Sequence, residues 1–104
     1  MAYKIVWTLN AQHSLESVIN YLELAWGEKQ IINFLKASEE LIEKISQFPH
    51  SFRSSKYEPI HEVLITKHNL LLYEVIEKEK VVIIHCYWDT RQNPKKKPSK
   101  FKNK

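Results

Sequence analysis

The second half of the chain contains the stretch that decides the fold, IHEVLITKHNLLLYEVIEKEKVVIIHCYW at residues 60–88. It consists of three apolar segments, residues 60–66, 70–76 and 81–88, separated by polar links of three and four residues. Links of that length are typical of antiparallel hairpins. The second and third segments are almost continuously apolar, which indicates strands in the middle of a sheet. The sequence therefore predicts three consecutive antiparallel strands.

The first half of the chain predicts one strand followed by two helices. Residues 3–9 are rich in β-branched and aromatic side chains, which is typical of a strand. Asn10 is the expected N-cap of a first amphipathic helix that ends near Trp26. Gly27, the only glycine, falls between this helix and a second one that is closed by Pro49.

Each predicted helix has one apolar stripe, and both stripes need a sheet to cover. The predicted fold class is therefore α+β, in the order β-α-α-β-β-β, with both helices on one face of a single antiparallel sheet. Residues 53–57 would add a short edge strand. Residues 1–93 are expected to form one domain, and the lysine-rich residues 94–104 predict a basic, mobile tail.

Charge is distributed unevenly along the chain. Residues 1–90 carry nine basic and twelve acidic side chains, whereas residues 91–104 carry seven basic side chains and no acidic one. The domain is therefore mildly acidic and the tail strongly basic. Three roles are open to the tail: contact with nucleic acid phosphates, binding to an acidic protein, or solubility alone.

Composition excludes several classes of protein. A hydrophobic content of 43% is typical of a globular domain, and no apolar run reaches the ~18 residues of a membrane span. The start of the chain lacks the features of a secretory signal, and Cys86 is the only cysteine, so we expect a cytoplasmic protein without an internal disulfide. The histidines are scattered and there is one glycine, so neither a metal site nor a cofactor-binding loop is expected.

The last predicted strand carries a polar pair with two possible roles. His85 and Tyr87 are two residues apart, so they are expected to share one face, opposite Ile84 and Cys86. If the helices cover the face of Ile84 and Cys86, then His85 and Tyr87, with the nearby Arg91, could cleave RNA by general acid–base chemistry. The same His and Tyr could equally be partly buried side chains with satisfied hydrogen bonds. Cys86 is expected to be an inert, buried thiol.

Two long runs of the sequence resemble a known toxin family. IHEVLITKHNLLLYEV at residues 60–75 and VVIIHCYWDTRQNP at residues 81–94 resemble the C-terminal half of RelE/ParE-superfamily toxins. These are the toxic members of bacterial type II toxin–antitoxin modules, and DTRQNP is similar to the ParE-type subset known as plasmid stabilisation proteins. The N-terminal half agrees, because IVW is followed by a helix, a glycine and a second helix that ends in Phe-Pro. The resemblance spans residues 3–94 and implies the same α+β fold.

The resemblance implies one of two activities, each neutralised by an antitoxin. ParE-like members inhibit DNA gyrase, whereas RelE-like members are ribosome-dependent mRNA endonucleases. The nucleases carry an arginine near the Tyr of the penultimate strand, or a His-Tyr pair at the end of the last strand; residues 70–73 and residues 88–89 have neither. An acidic domain is also a poor surface for ribosomal RNA. We therefore expect a ParE-like growth inhibitor, with a RelE-like endoribonuclease or an inactive antitoxin-binding protein as alternatives.

Candidate binding residues follow from the resemblance and from the predicted positions of the side chains. Contacts to the cellular target, gyrase or the ribosome, are expected from side chains on or near the sheet: Arg53, His61, His68 and Arg91. Contacts to the antitoxin are expected from the apolar stripe of the first helix: Leu15, Ile19, Leu22 and Trp26. The catalytic candidates of the nuclease alternative are His85, Tyr87 and Arg91.

Overall fold

The computed structural model describes residues 2–52 and 59–90 of the chain. The helices and strands are β1 (Lys4–Trp7), α1 (Leu9–Ala25), α2 (Glu28–Gln47), β2 (Ile60–Thr66), β3 (Asn69–Ile76) and β4 (Val81–Asp89), with a short 3-10 helix, Glu77–Glu79, between β3 and β4. This order confirms the predicted α+β fold. The edge strand predicted at residues 53–57 and the basic tail predicted from residue 94 lie outside the described residues.

The four strands form one mixed sheet in the spatial order β1-β4-β3-β2. Strands β2, β3 and β4 pair antiparallel, as predicted, but β1 pairs parallel with β4 and places Lys4 opposite Val81. The prediction of a wholly antiparallel sheet was therefore wrong for β1. Parallel pairing requires a long crossover connection, which α1, α2 and two strands provide between β1 and β4.

Helix α1 begins earlier than the sequence predicted. Its N-cap is Thr8, whose Oγ1 accepts a hydrogen bond from the N–H of Ala11 at 2.9 Å. The same hydroxyl donates to the carbonyl oxygen of Ile84 on β4 at 3.0 Å, so the cap also ties the helix to the sheet. Asn10, the predicted cap, lies inside the helix because this tertiary contact selects Thr8.

No helix in the described residues is long and apolar enough to cross a membrane.

Gly27 joins the two helices, as predicted. Its φ of 108° lies in a region that residues with a Cβ rarely adopt. The backbone N–H groups of Trp26 and Gly27 both donate to the carbonyl oxygen of Leu22 at 2.8 Å, which closes the last turn of α1. Helix α2 then begins at Glu28. The glycine therefore allows a connection of two residues, Trp26 and Gly27, between the helices.

Both helices cover the same face of the sheet, and the main core lies between the two layers. Its buried residues come from α1, α2, β3 and β4: Ala11, Phe34, Ile45, Leu71, Tyr73, Val82, Ile84 and Tyr87. A smaller buried cluster has different members: Ile60, Leu72, Cys86 and Trp88. The alternation of side chains along β3 places this second cluster on the opposite face of the sheet. Cys86 is 2% exposed, so the prediction of a buried thiol is confirmed.

A β-bulge at His85 changes which residues of β4 face the helices. Neighbouring residues of β3 pair with Ile84 and with Cys86, so His85, which lies between them, has no opposite residue. Such an extra residue interrupts the alternation of side chains. Cys86 consequently joins the outer cluster, and Tyr87 joins the core beneath the helices. The prediction that His85 and Tyr87 share one face, opposite Ile84 and Cys86, was wrong.

Candidate functional site

His85 contacts a carboxylate on the sheet face that the helices do not cover. Its Nε2 lies 2.9 Å from Oε1 of Glu74 on β3, and the two side chains are 12% and 24% exposed. The contact is an ion pair when the imidazole is protonated, and a hydrogen bond donated by Nε2 when it is neutral. Glu74 therefore fixes the orientation of the His85 ring.

Tyr87 lies on the other side of the sheet, in the core. It is 4% exposed, its ring stacks on Trp7 at 5.9 Å, and its hydroxyl oxygen is 2.7 Å from Oγ of Ser38 on α2. Burial raises the pKa of Tyr87, so its phenol stays protonated at neutral pH. The structure therefore does not bring the catalytic candidates His85 and Tyr87 together. The third candidate, Arg91, lies outside the described residues.

The predicted target-binding residues do not form one cluster in the described part of the chain. His61 lies near the start of β2, where its ring stacks on that of Tyr73 at 4.9 Å. His68 lies beyond the other end of β2, in the turn that leads into β3. Arg53 and Arg91 lie outside the described residues. His61 and His68 are thus separated by the length of a strand, and a role for both in one small contact site is not supported.

A groove of about 860 Å³ opens between the two helices and the end of the sheet that carries the β2–β3 turn. Residues of α1 from Asn10 to Leu22 line it, together with Trp26, which caps the C-terminus of α1, and Tyr87 contributes to its floor. A backbone hydrogen bond holds this turn against the end of β4, because the carbonyl oxygen of His68 accepts from the N–H of Thr90 at 2.8 Å. A volume of this size lies within the range of about 300–1,000 Å³ that is common for ligand sites in proteins.

The groove has an apolar floor and an uncharged polar rim. Phe34 of α2 lies in the floor, and serine, asparagine and glutamine side chains of both helices form much of the rim. Among the described lining residues there is no lysine or arginine, and the charged groups are Asp89 and, when protonated, His68. Phosphate recognition depends on basic side chains. The described lining therefore suits a protein segment better than a nucleic acid.

Two of the four predicted antitoxin-binding residues line this groove, namely Leu22 and Trp26. Leu15 packs against the main core instead, and Ile19 is half-buried outside the described lining. Sequence reasoning missed Tyr21, which lies in the groove wall and is 47% exposed. Positions 10, 14, 17 and 21 form a helical stripe beside the apolar one, but most of its side chains are polar and gave no hydrophobic signal.

At the opposite end of the sheet, Glu77 gathers three polar side chains. It accepts a hydrogen bond from the Tyr3 hydroxyl at 2.8 Å, lies 2.8 Å from Nε2 of His50, and pairs with Lys80. Hydrogen bonds from Lys80, His50 and Tyr3 lower the pKa of Glu77 to about 2. The cluster ties the start of the chain to the β3–β4 connection.

In residues 2–52 and 59–90, no group of three or more His, Cys, Asp or Glu side chains is placed to hold a metal ion.

Comparison with known proteins identifies a family and two structural relatives. The model of the family described as "ParE toxin of type II toxin-antitoxin system, parDE" matches residues 5–94. Among solved structures, a chain of the chromosomal ParDE toxin–antitoxin system from P. aeruginosa superposes with a TM-score of 0.73 at 13% sequence identity. That match covers 86% of this chain and 98% of the other.

A second solved structure, the toxin–antitoxin complex RelBE2 from Mycobacterium tuberculosis, contains a chain that superposes with a TM-score of 0.60 at 14% identity. The match covers 86% of this chain and 99% of the other. At such identities, both superpositions show a common fold. No curated protein sequence matches this chain significantly.

Proposed function

The chain belongs to the ParE toxin family of type II toxin–antitoxin systems, and from this premise we propose that it inhibits bacterial growth by binding a protein target, DNA gyrase. We propose also that a cognate antitoxin neutralises it in the cytoplasm by occupying the groove between the helices and the sheet end. Gyrase is the target that the resemblance of the sequence to ParE-like toxins implies. The geometry of the described residues supports a toxin that acts by binding a protein.

The observation that carries this choice is the separation of His85 and Tyr87 by the sheet. Cleavage of RNA by general acid–base chemistry requires both proton-transfer groups within hydrogen-bonding reach of one substrate. The Tyr87 phenol is 4% exposed and bonded to Ser38, so it does not reach a substrate on the face where His85 lies. A toxin that binds a protein requires no such pair.

The groove supports an antitoxin as the partner on the helical side. Trp26 and Tyr21 are 68% and 47% exposed although both are large aromatic side chains. Exposed tryptophan and tyrosine beside an apolar concavity are typical anchors of protein–protein interfaces. The structural relatives come from a ParDE toxin–antitoxin system and a RelBE2 toxin–antitoxin complex, which supports the same kind of partner for this chain.

Two experiments test the proposal. The chain is expressed in a bacterium alone and together with the product of the neighbouring reading frame; we expect growth arrest in the first case and restored growth in the second. The purified chain is also added to gyrase in a DNA supercoiling assay, where we expect inhibition. If the folded chain binds the neighbouring gene product but slows neither growth nor gyrase, it is an inactive, antitoxin-binding member of the family.

A RelE-like endoribonuclease is the second candidate, and the contact between His85 and Glu74 favours it. An imidazole oriented by a carboxylate is a competent acid or base, and this one is partly accessible. Mapping mRNA 5′ ends after induction would reveal cuts in phase with codons if this reading were correct. The variant His85→Asn separates the candidates, because it should abolish such cuts but leave gyrase inhibition intact.

A further inference from the structure

Tyr87 is the residue at which β4 and both helices meet, and we propose that it is a positioning residue that sets the shape of the antitoxin groove. It holds α1 and α2 at fixed positions relative to β4. With 4% of its surface exposed, it acts mainly through the helices rather than by contact with a partner. This inference rests on the proposed antitoxin binding, and it assigns to Tyr87 a role different from the catalytic one considered from the sequence.

The link to α1 runs through the backbone of Tyr87. Its N–H donates a hydrogen bond to Oγ of Ser14 at 2.9 Å, and the Ser14 hydroxyl donates in turn to the carbonyl oxygen of Ala11 at 3.1 Å. Ser14 lines the groove. Because a hydrogen bond between a side chain and a strand backbone is lost when either element slides, this contact fixes the position of α1 along β4.

The link to α2 runs through the phenol of Tyr87. Its oxygen is 2.7 Å from Oγ of Ser38, either atom can donate, and each residue is 4% exposed. The Tyr87 ring also packs on Phe34, one turn earlier on α2, with ring centroids 5.9 Å apart. A satisfied buried polar pair adds little net stability but restricts the core to one arrangement. The pair therefore fixes geometry more than it strengthens the fold.

The β-bulge at His85 is what makes this junction possible. If His85 were paired as in a regular strand, strict alternation would turn Tyr87 to the face opposite Ile84, away from both serines. Bulges commonly re-aim a side chain in this way. The bulge thus turns the phenol from the open face of the sheet towards the floor of the groove.

The test removes both hydroxyls and preserves the packing. In the double variant Tyr87→Phe with Ser38→Ala, the ring remains and no buried hydroxyl lacks a partner, so we expect a thermal midpoint close to that of the wild type. The full-length protein is then measured for hydrogen exchange of the amides in residues 30–38 and for affinity to the purified product of the neighbouring reading frame. We expect faster exchange, and an affinity about three- to tenfold lower because the partner must then order α2 when it binds.

Ser46→Ala provides the matched control. Ser46 is also a buried serine of α2, 7% exposed, and its hydroxyl donates to the carbonyl oxygen of Tyr3 at 3.0 Å, but it lies outside the described groove lining. We expect this variant to lose some stability and to keep wild-type affinity. If the double variant fails to fold, Tyr87→Phe alone is measured in the same way, because the Ser38 hydroxyl can then donate to a backbone carbonyl oxygen of its own helix. Wild-type exchange and affinity in that variant would overturn the inference.

The outcomes separate this inference from the proposed function. If the wild type binds the neighbouring gene product and the double variant binds it equally well with unchanged exchange, Tyr87 does not position the helices and only this inference falls. If Ser46→Ala weakens binding as much as the double variant, the effect is one of general stability and the inference also falls. If the folded wild type does not bind the neighbouring gene product, the antitoxin proposal fails, and this inference fails with it.

Discussion

The hydroxyl of Tyr73 donates a hydrogen bond to the carbonyl oxygen of Pro49 at 2.7 Å, inside the core. Tyr73 is fully buried on β3, and Pro49 follows the end of α2. Burial raises the pKa of Tyr73 far above its usual range, so the hydroxyl remains a donor throughout the physiological range of pH. This bond fixes the chain that leaves α2 against the sheet, at the end away from the groove.

Replacing Tyr73 by phenylalanine should therefore destabilise the protein strongly for so small a change. The Pro49 carbonyl would remain buried without its donor, which costs about 1–3 kcal/mol in the free energy of unfolding. Urea denaturation measures this loss. Tyr3→Phe is the control, because its hydrogen bond to Glu77 is exposed and water replaces it, at an expected cost within about 0.5 kcal/mol. Equal losses in the two variants would contradict the role of burial.

The order of the elements could be predicted because each has a local signal. The apolar segments at residues 60–66, 70–76 and 81–88 and the short links between them define the antiparallel strands. The helical stripes and Gly27 define the two helices. Each of these signals depends only on residues a few positions apart, because the spacing of apolar side chains and the residues preferred in turns are local features of a sequence.

The parallel pairing of β1 and the bulge at His85 had no such signal. A strand sequence does not indicate the direction of its partner, and β1 meets a strand that lies far along the chain. In β4, VVII and CYW are apolar on both sides of His85, so the alternation that would reveal an extra residue is absent. The consequence was large for function, because one inserted residue moved Tyr87 into the core.

The stability of the protein in the acid range of pH should depend on the ionisation of Glu77. Its contacts with Lys80, His50 and Tyr3 lower its pKa from 4.5 to about 2 in the folded protein. Because the folded pKa is the lower one, the stabilisation is present above about pH 4.5 and is lost as the pH falls towards 2. Glu77→Gln should therefore lower the thermal midpoint at pH 6, and the difference from the wild type should shrink as the pH approaches 2.

Glu79→Gln is the matched control for this experiment, since Glu79 is an exposed carboxylate of the same 3-10 helix. Its thermal midpoint should follow that of the wild type across the same range of pH. If Glu79→Gln behaved like Glu77→Gln, the effect would reflect net charge rather than the cluster around Glu77. High salt should reduce the Glu77 effect, because the group is exposed.

Gly27→Ala should destabilise the junction of the helices through backbone strain alone. A Cβ added at Gly27 would have no atom within 4 Å, so no clash contributes. The strain arises from φ 108° and ψ −177°, a region almost confined to glycine, where other residues cost about 1–3 kcal/mol. Urea denaturation measures the loss, and Lys29→Ala, an exposed change two residues away, should stay within about 0.5 kcal/mol. A neutral Gly27→Ala would show that the junction adopts another conformation.

The candidate site was less predictable than the fold, because it is assembled from distant parts of the chain. Leu22 and Trp26 could be found, since they belong to the apolar stripe of α1. The opposite wall of the groove comes from the β2–β3 turn and the end of β4, and no local pattern relates those residues to α1. His68 lies in that wall, so one predicted target residue and two predicted antitoxin residues meet in one place that neither prediction anticipated.

Trp26→Ala should weaken antitoxin binding without unfolding the toxin. Trp26 is 68% exposed, so its removal leaves little unfilled space in the free protein. A tryptophan that becomes buried in an interface commonly contributes 2 kcal/mol or more, which corresponds to a loss of about 30-fold in affinity. Titration calorimetry with the product of the neighbouring reading frame measures this loss. Leu24→Ala is the matched control, because Leu24 is 89% exposed in the last turn of α1, two residues before Trp26, but lies outside the described groove lining. A larger loss for Leu24 than for Trp26 would place the antitoxin on the outer surface of α1 instead of in the groove.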